Sequence, residues 1–289
     1  MDYQGTVIRP PSEAGSIILQ VTVGCSHNRC TFCGAYKKER FRYKDQAVID
    51  SDLGYAARHF GRHTRLFLAD GDVLILPQHR LVPLLLKIRT TLPAVRRIRL
   101  YANRKSITSK SLAELRELKG LGLDRIYMGL ESGDDGVLTA IRKGSNAAQM
   151  IEAGRRVREA GIFLSVTVLL GIGGLELSER HAIATAQTIN SMAPNQIAAL
   201  TLMPMAGTPL HEELWQGSFQ MPDDLALLRE LKTMLLHLEL DKVQLQANHA
   251  SNLLPLDCRL QRDKASALTT IDQALAGAIP LMPDYMRGL

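Results

Sequence analysis

Strand-like and helix-like segments alternate six times along this chain, and that order narrows its fold more than any other feature. The strand-like runs are Ile17 to Val23, Arg65 to Ala69, Ile98 to Ala102, Arg125 to Leu130, Phe163 to Leu170 and Ile197 to Leu202. Between them lie helical patterns at Ala47 to Phe60, Leu81 to Thr90, Gly136 to Ile141 and Ala147 to Ala160. A further helix has Ser109 as its expected N-cap and Glu114 in its first turns, and is closed by Gly120 and Gly122. Another precedes the sixth strand. Strands joined through helices return to the sheet in parallel. The expectation is therefore an α/β fold, and eight repeats would close a full barrel. Six predict a partial (β/α)6 barrel with its mouth at the C-terminal ends of the strands. From about Met203 a mostly helical extension follows, with a Leu-rich helix (Leu225 to Leu240), one short strand and a final helix after Asp263. No low-complexity linker interrupts the chain. It reads as one domain over residues 1–289, with a core at about 15–210 and a C-terminal extension at about 211–289.

Chemistry-bearing residues collect at the ends of these strands. After the first come Cys25, Cys30 and Cys33, with Gly24 freeing the backbone to turn. Asp70-Gly71-Asp72 follows the second strand, Asn103 the third, Glu131-Ser132 the fourth, and Gly171, Gly173 and Gly174 the fifth. Parallel α/β sheets and barrels bind ligands at that end. Three thiols within nine residues favour a metal or cluster over separate disulfides. Three cysteines would also leave one iron of a four-iron cube without a protein ligand, open to a small molecule.

Composition bears on compartment and partners. The fourth cysteine, Cys258, stands alone, and four cysteines in 289 residues do not resemble a secreted disulfide framework. No apolar run reaches membrane-spanning length, and Met1-Asp2-Tyr3-Gln4 lacks the basic-then-apolar order of a signal peptide. A reducing cytoplasm is expected. A net charge of +6 permits anionic partners, RNA among them, and a mildly basic enzyme surface is the commoner explanation.

With these residues in view, the chain resembles the radical S-adenosylmethionine (SAM) superfamily. The matching stretches are Gly24 to Cys33, Leu68 to Asp72, Gly129 to Gly133 with Lys143-Gly144, and the glycine-rich end of the fifth strand. Together they span roughly residues 15 to 210 and look closest to the branch containing Elp3-like, methylthiotransferase-like and oxygen-independent coproporphyrinogen-oxidase-like enzymes. The resemblance implies a partial radical-SAM-type barrel in which Cys25, Cys30 and Cys33 hold a [4Fe-4S] cluster. SAM would chelate the fourth iron and be cleaved reductively to methionine and a 5′-deoxyadenosyl radical. The usual spacing is C-x3-C-x2-C, whereas four residues separate Cys25 from Cys30 here. Longer first intervals occur in the superfamily. By the same resemblance Phe32 lies beside cluster and adenine, Asp70-Gly71-Asp72 receives the SAM ammonium, and Glu131 and Ser132 contact its ribose or amino-acid part. Lys143 or Arg142 is a candidate for its carboxylate. Gly171 admits close backbone approach, and Met203-Pro204 lends backbone atoms to adenine.

Three features lie outside that set. Lys37 to Lys44 interleaves aromatic and basic groups, a pattern of nucleic-acid contact or of a charged loop covering the cluster. Asn248 to Asn252 is a polar knot in which Asn248 and His249 are expected to face substrate, with a turn cap as the duller role for His249. Cys258 is expected not to ligate the cluster. Two other classes compete with the enzyme. The spacing C-x4-C-x2-C also suits a ferredoxin-type electron carrier, but the only further cysteine is distant. A structural zinc module would need His27 as fourth ligand, strained by its closeness to Cys25. For the enzyme, the substrate stays open among small molecule, peptide and RNA. A reductant such as flavodoxin or ferredoxin is implied, and a membrane is not.

Overall fold

The computed structural model describes residues 1–288. The chain divides into two compact units, the first made of Met1–Asn28, Ala35–Met128 and Arg156–Leu164, the second of Arg29–Gly34, Gly129–Arg155 and Ser165–Leu289.

In the first unit, β1 (Ile17–Gln20), β2 (Thr22–Val23) and β3 (Arg42–Tyr43) precede α1 (Gln46–Phe60) and β4 (Arg65–Ala69). Next come α2 (Gln78–Thr91), β5 (Arg97–Tyr101), α3 (Arg104–Thr108), α4 (Leu112–Gly120) and β6 (Leu123–Glu131), the last three residues of β6 belonging to the second unit. The strands lie side by side in the order β1-β4-β5-β6, and all pairings are parallel, with Ile17 opposite Leu66 and Leu66 opposite Ile98. The single strand expected over Ile17 to Val23 is in fact two. The Val21 N–H still donates to the Ala69 carbonyl, but its own carbonyl accepts from Lys44 N–H, and β2 leaves to pair antiparallel with β3. The N-cap also differs from expectation. Ser111, not Ser109, caps α4, in a reciprocal capping box with Glu114, because Ser109 is used to end α3.

The second unit carries α5 (Asp135–Ala140), most of α6 (Ala147–Glu159), β7 (Phe163–Leu170) from Ser165 onward, α7 (Gly174–Met192) and β8 (Gln196–Thr201). The extension supplies α8 (Pro209–Trp215), α9 (Asp224–His237), β9 (Gln244–Ala247), β10 (Leu256–Arg259) and α10 (Lys264–Leu275). Strand order is β7-β8-β9-β10. β7 is apolar and buried along nearly its whole length, as a strand covered on both faces must be. The one short strand expected in the extension is corrected to two: β9 adds parallel to β8, and β10 pairs antiparallel with β9. Burial alternates along β10, which marks one covered and one open face.

Each unit has its own core. In the first, Phe67, Tyr101 and Tyr127 meet edge to face, and the buried Glu13 carboxylate pairs with Arg99 at 2.6 Å. In the second, Val137, Leu138, Ile141, Leu169, Ile172, Leu202 and Leu210 cluster. Among the described residues no helix is long and apolar enough to cross a membrane.

Candidate functional site

Cys25 opens the loop after β2, and the turn that follows β4 is built around it. Gly24 sits at φ +77°, a left-handed conformation that costs glycine nothing. Asp70 and Asp72 are both fully buried. The Asp70 carboxylate accepts from Tyr36 Oη at 2.6 Å and from Gln20 Nε2 at 3.1 Å. Burial raises its pKa, opposed by these bonds and by the nearby backbone N–H groups of Ile8 and Gly24. Asp72 accepts from the Ser26 hydroxyl, from Asn103 Nδ2 at 2.7 Å and from the Asn103 backbone N–H at 3.4 Å. Burial lifts this carboxyl to about 6, opposed by the neighbouring polar groups of Ser106, Ser26 and Asn103. Asn103 in turn caps α3 through Ser106 N–H and donates to Ser26 Oγ at 2.9 Å. Asn28, at φ 43°, closes the loop by donating to the Tyr36 carbonyl at 2.7 Å.

The other two cysteines lie in the second unit. Residues 29–34 are held there through Thr31, whose N–H donates to Ile141 and whose carbonyl accepts from Leu210. Phe32 packs on the Val137–Leu210 apolar cluster, so its ring is a packed aromatic. A side chain at Gly34 would meet the Met205 thioether at 3.1 Å, which brings the turn after β8 against the residue following Cys33. Met203, at the start of that turn, is partly buried.

At the end of β6, Glu131 adopts φ 65°, uncommon for a residue with a side chain. Its Oε1 pairs with Lys143 Nζ at 2.8 Å, both side chains nearly buried. Gly129 makes room for this pair, since a methyl group there would fall 2.2 Å from Glu131 Oε1. The neighbouring Ser132 is committed elsewhere. Its buried hydroxyl contacts His181 Nδ1 at 2.8 Å and accepts from Asp134 N–H at 3.0 Å. His181 Nε2 lies 3.5 Å from Glu230 Oε1, and that oxygen accepts the Gly171 N–H at 2.6 Å. The second Glu230 oxygen accepts from Ser178. A buried chain of polar groups therefore links the end of β6 to the end of β7 through α7 and α9. Burial pushes His181 down to about 4 and Glu230 up to about 7. Gly171, at φ +85°, is required by its neighbours: an added Cβ would meet Leu227 and Met221 at 2.9 Å.

The remaining sequence candidates resolve simply. His249 Nδ1 bonds Ser251 N–H at 3.1 Å and Ser251 Oγ at 2.9 Å, the turn-cap role, while Asn252 ties the turn to Thr201 and Ala199 of β8. Lys44 is buried against Asp52 at 2.9 Å and is internal structure, whereas Lys37, Lys38, Arg40 and Arg42 are exposed and Arg80 stacks over the exposed Tyr43. Sequence reasoning does not find Tyr36, Ser26, His181 or Glu230. Glu230 had a signal, as a carboxylate on the apolar face of α9 made by Leu227, Leu231 and Met234.

None of the four cysteines forms a disulfide, and Cys25, Cys30 and Cys33 are each partly exposed. Among the described residues no three His, Cys, Asp or Glu side chains converge as a single ion would require. An all-thiol donor set suits an iron–sulfur cluster.

The sequence profile of the radical SAM superfamily matches residues 19–186, more than half of the chain. The chain belongs to the radical SAM superfamily. It is a radical SAM enzyme, with SAM and a [4Fe-4S] cluster as its cofactors. Among solved structures it is similar to the radical SAM methyltransferase TsrM from Kitasatospora setae, at 16% identity and TM-score 0.58 over 70% of this chain and 40% of that one. It is similar to Elp3 from the archaeon Methanocaldococcus infernus at 12% identity and TM-score 0.55, over 92% of this chain and 64% of that one. The coproporphyrinogen III oxidase HemN from Escherichia coli matches at 14% identity and TM-score 0.55, over 76% of this chain and 52% of that one. These likenesses show a shared radical-SAM-type α/β fold. The chain spans less than two thirds of each of these proteins. No curated protein matches it in sequence.

Proposed function

We propose that Cys25, Cys30 and Cys33 hold the [4Fe-4S] cluster and that SAM is bound beside it and cleaved reductively to act on a substrate. The observation that carries this reading is a loop with three disulfide-free, partly exposed thiols directly after the first strands. When bound, the two cofactors supply a 5′-deoxyadenosyl radical. The chain's own residues bind and orient. Glu131 is the strand-end carboxylate best suited to vicinal hydroxyls, because Lys143 occupies only one of its oxygens and the other keeps acceptor capacity. Lys143 neutralises that carboxylate, so the pair offers SAM directed hydrogen bonds with little net charge. Phe32, Gly171 and the Met203 backbone complete the SAM contacts, Phe32 and Gly171 by shaping the apolar wall. Ser132 acts behind Glu131 by fixing the turn. The substrate is a small molecule, peptide or RNA, and the electron comes from a flavodoxin- or ferredoxin-type reductant. Four cysteines without a disulfide fit a reducing cytoplasm.

The test is anaerobic reconstitution with iron and sulfide, then SAM and dithionite, with 5′-deoxyadenosine measured by chromatography. The wild-type chain should produce it, and Glu131→Ala should produce at least ~10-fold less, equivalent to one lost charge-assisted contact of about 1.4 kcal/mol. A reconstituted protein that neither binds iron nor cleaves SAM would overturn the reading.

A further inference from the structure

The turn Asp70-Gly71-Asp72 matches the tripeptide Gly24-Cys25-Ser26 residue for residue. Asp70 lies near the backbone N–H of Gly24 on one side of Cys25. Asp72 accepts the hydroxyl of Ser26 on the other side. Between them, the space where a Gly71 side chain would stand is filled by Cys25: its Cβ lies 3.1 Å and its Cα 3.3 Å from a Cβ built there. Each carboxylate oxygen is already engaged inside the protein. An ionised carboxylate offers about four acceptor sites. Asp72 accepts from Ser26 and twice from Asn103, and Asp70 accepts from Tyr36 and Gln20. Both side chains are fully buried. A ligand ammonium reaching either one would have to enter a fully buried site among partners already in place.

We propose that Asp70-Gly71-Asp72 is a cradle that positions Cys25 before any cluster is present, and that Asp70 and Asp72 are positioning residues for that thiol rather than receivers of the SAM ammonium. This rests on the reading of Cys25 as a cluster ligand. Asp72 acts through Ser26, and Asn103 locks the contact by donating to both partners. Tyr36 closes the opposite side, its hydroxyl on Asp70 and its ring 2.8 Å from the position a Gly71 side chain would take.

The experiment uses the full chain in apo and reconstituted form. In the apo protein the alkylation rate of Cys25 by iodoacetamide is followed by peptide mass mapping, with buried Cys258 as the internal reference. Ser26→Ala and Asp72→Ala should each raise the Cys25 rate about fivefold or more, the scale of one lost buried hydrogen bond. The double variant should gain little beyond either single one, since both remove the same link. Asp72→Asn, which keeps one acceptor, should lie between. After reconstitution, the first two variants should lose visible cluster absorption to a chelator faster than wild type. Ser26→Ala is a small change at a half-buried site and keeps the test available if Asp72→Ala does not fold. An unchanged Cys25 rate in both single variants, with SAM affinity lowered in Asp72→Ala alone, would overturn the cradle and return Asp72 to the ammonium. Full iron content in Cys25→Ala would instead show that the underlying ligand assignment had failed.

Discussion

A methyl group at Gly71 would stand 2.8 Å from the Tyr36 ring and 3.1 Å from Cys25 Cβ. The ring belongs to a buried tyrosine whose hydroxyl is tied to Asp70, so it cannot swing away without breaking that bond. Gly71→Ala should therefore destabilise the protein by about 1–3 kcal/mol, the cost of overpacking a filled site, measured as a lower urea midpoint at unchanged slope. A wild-type midpoint would show that the loop yields freely. This glycine is legible in the sequence as a turn residue, but its tight fit against Cys25 is not, because the contact joins residues far apart along the chain. Glu131 is the converse case. Its identity and strand-end position are visible in sequence, whereas its left-handed backbone and its pairing with Lys143 follow from how β6 ends and where the chain returns after α5.

At the scale of elements, α7 and α9 pack together and bury His181 and Glu230 between their own surfaces and the turn after β7. The groups facing this pair are Ser132, Asp134, Ser178 and Thr185. Glu230 is raised from 4.5 to about 7, so across that window the folded chain keeps a proton the unfolded chain has lost. Stability from this group is complete below 4.5 and falls as pH rises. His181 is lowered from 6.5 to about 4, so its contribution is present above 6.5 and falls as pH drops. The two slopes oppose each other where the windows overlap. Glu230→Gln removes the falling limb and leaves the rising one. Relative to wild type, its urea midpoint should climb between pH 4.5 and 7. The gain should reach a few kcal/mol in total, since each pH unit across that window is worth about 1.4 kcal/mol. Identical pH profiles for the two proteins would rule out an unpaired, buried titration at Glu230. A smaller element-level expectation concerns α4, where Ser111→Ala breaks the capping box and should cost about 1 kcal/mol in the same assay.

For the molecule as a whole, cysteine chemistry separates the loop from the sheet. Cys258 is buried on β10, and burial pushes its thiol up to about 11, leaving little thiolate to react. Alkylation of the native apo chain should modify the loop cysteines and spare Cys258 until urea unfolds it, and Cys258→Ala should retain full iron content. Modification of Cys258 at the same rate as the others would contradict its place in the sheet. The strand–helix alternation, the three clustered thiols and the strand-end residues were readable from sequence because each is local: hydrophobic period, turn glycines and ligand spacing all act within a few residues. The departures were of another kind. The split of the first strand, the second strand of the extension, and the commitment of Asp70, Asp72 and Ser132 to internal partners depend on groups that approach only when distant segments pack. A carboxylate at a strand end looks the same in sequence whether it awaits a ligand or already holds Tyr36, Ser26 or Asn103. Burial and the satisfaction of hydrogen bonds decide between the two, and both are properties of the folded chain.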